Sequence, residues 1–370
     1  MTTPFNWNAI KSEWIFSETS QRLDAAFYSK DIIEARIVLN KIRKRSIFKV
    51  TTLNDPSFVS KIFWPGRFKR KYTTEKKGRP FLMPKEVFQF LVKARKFILD
   101  PPENLEIKEK WILVTRSGSI GRCLIADRVL LDYVISDDLI RVILQDENYL
   151  GYIYAFLNTW MGQAFLTKTP YGETVKHIEP EHIANISLPL LPESDIKEIN
   201  KKILEVHKLR EKARELLITA QTLLLQQLQL SLLEESDIEF LKYKAAKLLK
   251  AFETNASELD YRLDASYHVP VLKLIRKNLQ EGQRKGLYMI KRLGDGLAKV
   301  FDLPTYKRTY VKPDNGYPVL SGSHLNQIKL YDLKYIHPIC FYRNKGKKIL
   351  DKYKVKKGWI LTTERGTTGV

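Results

Sequence analysis

The chain has 370 residues, a formal net charge of +21 and two cysteines. The length predicts two or three domains, and the excess of lysine and arginine favours a polyanionic partner, most often nucleic acid. Cys123 and Cys340 lack metal-type spacing, which argues against a zinc site and favours a reducing, cytoplasmic setting. We expect neither a signal peptide nor a membrane-spanning segment.

The first half of the chain reads as a mixture of short helices and strands. Apolar residues recur at helical spacing in some stretches, and β-branched residues cluster in others. Glycines break one strand pattern, and prolines rule out helix before the longest element. The predicted elements are a helix over 31–45, strands over 110–115 and 139–144, a turn at Gly118 and Gly121, a helix over 150–167 and an extended segment over 186–192.

The longest predicted element is a helix over 192–229. Pro192 and Ser194 suit its start, and the acidic residues of the first turn complement the helix dipole. Apolar residues then recur at steps of three and four, which is typical of a coiled-coil seam. At about 1.5 Å per residue the helix is roughly 55 Å long. The candidate helix-pairing residues are Ile196, Ile199, Ile203, Val206, Leu217 and Leu224.

Three sequence blocks of the first half recur in the same order in the second half. Because the separation between matching blocks is long and nearly constant, the pattern indicates a duplicated domain rather than a short repeat. A helix over 269–280 corresponds to the one over 31–45, and a helix over 234–252 links the long helix to the second copy. The recurring blocks are 22–28 with 262–268, 68–72 with 306–310, and 111–121 with 359–369.

These observations predict an α+β fold: two homologous mixed α/β domains joined by a long helix that forms a coiled coil. The expected boundaries are 1–192 for the first domain, 193–252 for the helical spacer and linker, and 253–370 for the second domain. The second copy stops shortly after its glycine turn, so we expect it to be incomplete at its C-terminal end.

Basic residues interleaved with aromatic ones occur in both copies and predict a DNA-binding surface. Lysine and arginine neutralise phosphates, arginine can read guanine, and turns at strand ends present recognition side chains. A solvated charged loop is the alternative interpretation. The candidates are Lys69, Arg70, Tyr72, Lys76, Lys77 and Arg79 with Lys307, Arg308 and Tyr310 in the basic segments, and Arg116, Ser117 and Ser119 with Arg365 and Thr367 in the turns.

Two other functions remain open from the residues alone. Asp314, Asp332 and Lys334 match the loose pattern of a metal-dependent nuclease, in which two carboxylates hold magnesium beside a lysine. The other possible function is that of a pure assembly scaffold, in which the basic surface is incidental. The scattered histidines suggest no catalytic grouping, so we expect no catalytic residue, no metal and no cofactor.

The order of several motifs resembles the specificity subunits of Type I restriction–modification systems. The first repeat ends in Tyr171–Ile178, an extended Asn185–Pro192 segment follows, and a long helix then opens with Glu193-Ser-Asp-Ile. The Trp111–Gly121 strand and turn are also similar to that family. Tyr171 and Lys176, in the first of these motifs, join the DNA-binding candidates.

The resemblance implies that each repeat is a target-recognition domain reading one half of a split double-stranded DNA site. It implies a non-catalytic subunit that docks DNA methyltransferase subunits, with restriction and translocase subunits joining the complex. In the family, two conserved helices pair as an antiparallel coiled coil. Since the sequence contains one such helix, we expect its partner to come from another chain, such as a second copy in a homodimer.

Overall fold

The fold is taken from a computed structural model that describes residues 12–16, 23, 25–75, 77–168, 177–228, 252–259, 262–303, 306–343, 347–348 and 350–363. The described residues fall into two compact units. The limits of the first are 1–212, 320–333 and 362–370, and those of the second are 213–319 and 334–361. Within the described ranges, no helix is both long and apolar enough to cross a bilayer.

The first unit combines helices with three small sheets. Its helices are α1 Ser12–Phe16, α2 Lys30–Lys44, α3 Pro84–Val87, α4 Leu150–Leu157, α5 Trp160–Lys168, α6 Pro180–Ala184 and the first part of α7 Glu193–Gln227. Its strands are β1 Lys49–Thr52, β2 Val59–Phe63, β3 Tyr72–Thr73, β4 Arg79–Leu82, β5 Lys96–Ile98, β6 Ile112–Thr115, β7 Cys123–Ile125, β8 Val134–Ile135, β9 Leu139–Leu144 and β10 Ser187–Leu190.

The strand orders are β2-β9-β6-β7, β3-β5-β4-β8 and β1-β10. All pairs are antiparallel except β4 with β8. The central strand β6 is buried on both faces. Ile112 and Val114 belong to one apolar cluster with α2 and α4, whereas Leu113 belongs to another with Leu139. This two-sided burial explains the continuous apolar run, because successive residues point to opposite faces of a sheet.

The segment predicted as one helix over 150–167 is two helices that meet at Asn158 and Thr159. The Asn158 side-chain amide donates to Tyr154 O at 2.9 Å, which satisfies a carbonyl at the end of α4. The Thr159 hydroxyl accepts from the backbone N–H of Gly162 at 3.1 Å, which caps the start of α5. Polar side chains that bond to nearby backbone favour helix ends, and here they outweigh the continuous apolar pattern.

The second unit is smaller in its described secondary structure. Besides the remainder of α7, it contains α8 Pro270–Arg284, β11 Tyr310–Val311, β12 Tyr317–Val319, β13 Lys334–Ile336, β14 Tyr342–Arg343, β15 Lys347–Lys348 and α9 Leu350–Tyr353. Strands β11-β13-β12 form one sheet and β14-β15 a hairpin. Ile336, Phe341 and Leu350 form its apolar centre, and the rings of Tyr306 and Tyr353 pack against it.

The predicted duplication is confirmed by matching geometry in the two halves of the chain. Helices α2 and α8, which occupy corresponding places in the two sequence copies, both have 15 residues. In β3-β5-β4, Ile98 is opposite both Tyr72 and Arg79. In β11-β13-β12, Ile336 is opposite both Tyr310 and Tyr317, so the register is the same in both sheets. The α+β class with a long helix is therefore confirmed, while the predicted domain boundaries stay predictions.

Helix α7 uses its apolar residues in two different ways. Ile196 is buried in the core of the first unit, and Ile199 and Ile203 pack against the same cluster. Farther along, Val206, Leu217 and Leu224 are exposed. The beginning of the predicted seam thus serves globular packing, because α7 docks where Gly151 N–H donates to Asn200 Oδ1 at 2.6 Å. The helix predicted over 234–252 lies outside the described residues, apart from Phe252.

We expect Gly151→Ala to destabilise the first unit. A Cβ at this position would lie 2.8 Å from Asn200 Cα and 2.9 Å from Asn200 O, so α4 and α7 would have to separate. Overpacking of this kind costs about 1–3 kcal/mol, partly offset by the better helix propensity of alanine. Urea unfolding monitored by circular dichroism measures the loss. Gly294→Ala, whose Cβ would meet no atom within 4 Å, is the control, and equal stability of both variants would contradict the close docking.

Candidate nucleic-acid interface

Three neighbouring strands, β3-β5-β4 in the first repeat and β11-β13-β12 in the second, lie beside the predicted basic and aromatic residues. A glycine before the second of these strands along the chain makes the sheet close-packed. A Cβ on Gly78 would lie 2.3 Å from Thr73 Cγ2, and one on Gly316 would lie 2.5 Å from Val311 Cγ2. Each glycine would also crowd the carbonyl oxygen of the central strand. These two positions therefore need glycine for close backbone approach.

Each sheet holds a lysine over an exposed tyrosine ring. Lys96 Nζ lies 4.9 Å from the centroid of the Tyr72 ring, and Lys334 Nζ lies 5.0 Å from that of Tyr310. Both distances lie within the range of cation–π attraction. Because the positive charge sits beside an exposed aromatic face in both repeats, each pair can meet a phosphate and a sugar or base together.

Exposed lysines flank the tyrosine in both repeats. Lys69, Lys71 and Lys77 are exposed in the first unit, and the described part of the chain shows no ion pair for them. Arg79 is also exposed and pairs with Glu106 at 2.6 Å. In the second unit the basic residues beside Tyr310 are Lys307, Arg308 and Lys312. Such solvated charges remain available to an approaching polyanion.

Arg70, although it belongs to the same basic segment, is held inside the first unit. Its guanidinium pairs with Asp137 and, at 3.4 Å, with Asp138 Oδ2. Burial opposes its charge, but the hydrogen bond and the charge of Asp137 outweigh that effect and raise the pKa of Arg70. Its geometry therefore suits positioning of the basic segment against β8 and β9 better than direct contact with DNA.

Arg116 is buried as well. Its guanidinium carbon lies 3.9 Å from the centroid of the Trp64 ring, and Nη2 pairs with Glu179. The backbone N–H of Arg116 donates to Asp138 O at 2.9 Å, and Ile178 N–H donates to Arg116 O at 3.1 Å. These contacts join the strand–turn to the segment that leads into α6, so the side chain stabilises the turn from within.

The turn after β6 exposes one of its two predicted serines. Gly118 and Gly121 adopt positive φ angles of 72° and 81°, which a tight turn requires. Ser119 lies exposed between them, whereas Ser117 is half-buried and its hydroxyl donates to Asp138 Oδ1 at 3.0 Å. Of the turn candidates with described positions, Ser119 is the accessible one. Lys76, Tyr171, Lys176, Arg365 and Thr367 lie outside the described residues.

Lys96 and Arg141 were not among the residues predicted from the sequence, and Lys334 was predicted only in the nuclease alternative and not as part of the DNA-binding surface. The sequence does mark the two lysines Lys96 and Lys334, because Lys96-Phe-Ile recurs as Lys334-Tyr-Ile at the separation that relates Tyr72 to Tyr310. Arg141 stands out in the sequence because it is the one charged residue within the apolar run of β9. It is fully buried, and its guanidinium donates to the carbonyls of Ser136 at 3.1 Å and Ile135 at 2.9 Å. Burial lowers the pKa of Arg141 to about 10, so the group remains charged at neutral pH.

The residues of the nuclease alternative have other contacts. Asp332 pairs with Arg122, and Lys334 lies over the Tyr310 ring. Within the described ranges, no group of three or more His, Cys, Asp and Glu side chains is placed to share a metal ion. Asp332 and Lys334 therefore each make a contact that the nuclease pattern does not use.

Comparison with known proteins gives partial structural likenesses. No protein-family model matches the chain, and no curated protein matches it significantly. The crystal structure of a Type-I restriction-modification system S subunit from M. genitalium matches at 14% identity with a TM-score of 0.37, covering 49% of this chain and 45% of that one.

Two further solved structures match in part. One concerns complex assembly and conformational transition of the type I R-M system, with 14% identity, a TM-score of 0.33, and coverage of 57% of this chain and 55% of that one. The other is the HsdS subunit from Thermoanaerobacter tengcongensis, with 17% identity, a TM-score of 0.31, and coverage of 45% and 40%. The chain spans about half the length of these structures.

We expect Arg116→Ala to lower the free energy of unfolding by about 3 kcal/mol, because it removes one member of a largely buried ion pair together with its packing on the Trp64 ring. Lys69→Ala, at an exposed position, should change it by less than about 0.5 kcal/mol. Urea unfolding of both variants measures the difference. An Arg116→Ala protein with unchanged stability and impaired DNA binding would instead assign Arg116 to the DNA surface.

Proposed function

We propose that the chain recognises a specific sequence in double-stranded DNA and is itself non-catalytic. The observation that carries this proposal is the recurrence, in both repeats, of the same sheet with a lysine over an exposed tyrosine. Exposed basic residues surround each copy, and the net charge of +21 suits a polyanionic ligand. A solvated charged loop accounts for the charge but gives no reason for the repeated placement of these side chains.

The exposed lysines neutralise phosphates in this proposal, and they position each repeat on the duplex without reading sequence. Tyr72 and Tyr310 then contact sugar or base at the groove. Two exposed candidates of the first repeat read base edges in this proposal. They are Ser119 and Arg79, which exchanges its exposed ion pair with Glu106 for a base edge. Arg70 and Arg116 hold the surface in shape through their internal carboxylate partners.

The full proposed role is that of the specificity subunit of a Type I restriction–modification complex in the cytoplasm. Each repeat reads one half of a bipartite site. The chain directs methyltransferase subunits to that site, and restriction and translocase subunits act through the same complex. The support is the order of sequence motifs, the duplication and the basic surface in each repeat.

Helix α7 supplies the proposed pairing surface. Val206, Leu217 and Leu224 lie exposed on a seam of alternating three- and four-residue steps, and neighbouring Leu216 and Leu223 are also exposed. An apolar row of this kind is unfavourable in water unless another helix covers it. We propose that a second copy supplies that helix, antiparallel to the first about a two-fold axis.

Selection from random duplexes should enrich one bipartite sequence, and binding should weaken steeply as salt rises. The triple variant Lys69→Glu, Lys71→Glu and Lys77→Glu should lose preference for one half of the site. The variant Lys307→Glu, Arg308→Glu and Lys312→Glu should lose preference for the other half. Each lost phosphate contact should reduce the slope of log affinity against log salt by roughly 0.9.

The control for both variants is Lys201→Glu with Lys202→Glu, two exposed positions on α7 outside both sheets. It should keep the sequence preference of the unmodified chain. Enrichment of no sequence would contradict the proposal, and so would equal losses in the control and the test variants.

The mass in solution tests the pairing of α7 independently of DNA. Sedimentation should give a dimer, and Leu217→Asp with Leu224→Asp should give a monomer, because a charge in an apolar seam is poorly solvated. Lys201→Glu with Lys202→Glu again serves as the control. A monomeric unmodified chain at micromolar concentration would refute the homodimer but not DNA recognition by single chains.

A further inference from the structure

Two consecutive aspartates, Asp137 and Asp138, lie between strands β8 and β9 and contact both segments that carry DNA-binding candidates of the first repeat. Residues 136–138 are called here the aspartate loop. Ser136 N–H donates to Leu82 O at 2.9 Å, so the loop continues the contact of β8 with β4. The loop is therefore fixed to the sheet β3-β5-β4-β8.

The basic segment contacts the aspartate loop at two points. Trp64 Nε1 donates to Asp137 O at 2.6 Å. The Arg70 guanidinium pairs with the Asp137 carboxylate and lies 3.4 Å from Asp138 Oδ2. The lysines on either side of Arg70 in the sequence are exposed. The aspartate loop therefore holds the part of the chain that presents these two lysines.

The turn after β6 contacts the same loop. The Ser117 hydroxyl donates to Asp138 Oδ1 at 3.0 Å, and Arg116 N–H donates to Asp138 O at 2.9 Å. The Asp138 N–H donates to Ser136 Oγ at 3.2 Å, which fixes the backbone at this position. The two carboxylate oxygens of Asp138 thus face different segments, Oδ1 the turn and Oδ2 the basic segment.

Arg141 supports the aspartate loop from the interior. Its buried guanidinium donates to Ser136 O at 3.1 Å and to Ile135 O at 2.9 Å. A charge is costly to bury unless it is hydrogen-bonded, so these carbonyls and the arginine hold one another in place. Recognition groups keep their geometry when supporting side chains are locked by packing and hydrogen bonds. The aspartate loop has such support, and it can therefore fix the orientation of the segments that contact it.

We propose that Asp138 is a positioning residue that sets the sequence preference of the first repeat, an inference that rests on the proposed recognition of DNA. Asp138 acts through its partners: it holds the turn that exposes Ser119 against the basic segment, so that base reading and phosphate contact share one register. Phosphate contacts bind a duplex of any sequence, whereas sequence is read at the base edges. Loss of Asp138 therefore removes sequence preference and leaves nonspecific binding.

Anisotropy of fluorescent duplexes, one of the enriched sequence and one of random sequence, tests the proposal on the full chain over a range of salt. Asp138→Ala should lower the ratio of the two affinities at least about tenfold, the effect of losing one base-pair preference. The affinity for the random duplex and the salt slope should not fall, because the exposed lysines remain. Arg70 keeps Asp137 in this variant, so the circular dichroism spectrum should not change.

Two further variants separate positioning from direct reading. Asp138→Asn retains an oxygen that can accept from the Ser117 hydroxyl, so it should keep most of the sequence preference. Ser117→Ala should lower the ratio as Asp138→Ala does, and the double variant should lose no more than Asp138→Ala alone, because both changes remove the same contact. Ser117→Ala carries the test if Asp138→Ala does not fold.

The matched control is Asp55→Ala. The Asp55 carboxylate also accepts two hydrogen bonds, from the Thr51 hydroxyl at 2.8 Å and from Ser57 N–H at 3.0 Å, and both partners belong to β1 and the connection to β2. Its loss should leave the affinity ratio unchanged.

Three results would overturn the role of Asp138 and leave DNA recognition standing. They are an unchanged affinity ratio in Asp138→Ala, an equal fall in the control, and additive losses in the double variant, which would make Ser117 a direct reader of DNA. Enrichment of no sequence by the unmodified chain would refute both the role of Asp138 and the proposed function.

Discussion

The pairing of β1 with β10 holds the first unit together, because it joins segments from opposite ends of the first repeat. Closing so long a loop costs conformational entropy, although that cost grows only slowly with length. Burial of Leu53 and Leu188 on the α2 face offsets it. Pro189 lacks an N–H, so it fits this two-stranded ladder better than it would fit a central strand. The Tyr152 hydroxyl donates to Pro189 O and ties the ladder to α4. Since α7 begins at Glu193, the ladder also determines where the long helix leaves the unit.

Local sequence patterns were sufficient to predict several helices and strands. They could not predict features that depend on contacts between residues distant in the sequence. The helix over 31–45 and the strand over 139–144 follow from periodicity and β-branched residues, and the structure has them within one residue. The break at Asn158 was missed because side-chain capping overrode an apolar pattern. The coiled-coil pattern of α7 predicted a uniform seam, whereas the first turns lie in the core of the unit. Periodicity shows which side of a helix is apolar but does not show whether its own domain or another chain covers it.

The same limit applies to the candidate interface. Composition and the duplication indicate a basic surface in each repeat, and both sheets have it. Sequence alone could not separate the exposed lysines from Arg70 and Arg116, because the partners of those arginines are 63 to 68 residues away along the chain. Internal pairing removes these charges from the accessible surface while it holds the loops in place. A count of basic residues in a segment therefore overestimates the charge available to DNA, and the repeated Lys96–Tyr72 and Lys334–Tyr310 pairs mark the surface better.

The two repeats agree in the strands that lie close together in the sequence. They differ where the first repeat uses β10, a strand that is distant in the sequence. The registers of β3-β5-β4 and β11-β13-β12 match because all three strands lie within one short stretch of sequence and a glycine permits their approach. The segment Met289–Leu293 follows the same turn geometry as β1 but lacks, among the described residues, the cover that β10 provides. A local sequence block therefore reproduces its local structure in both places, whereas burial of Leu53 or Leu293 depends on a strand from elsewhere. The exposure of equivalent apolar positions in two copies of one fold therefore depends on which distant segments lie beside each copy and not on the local sequence.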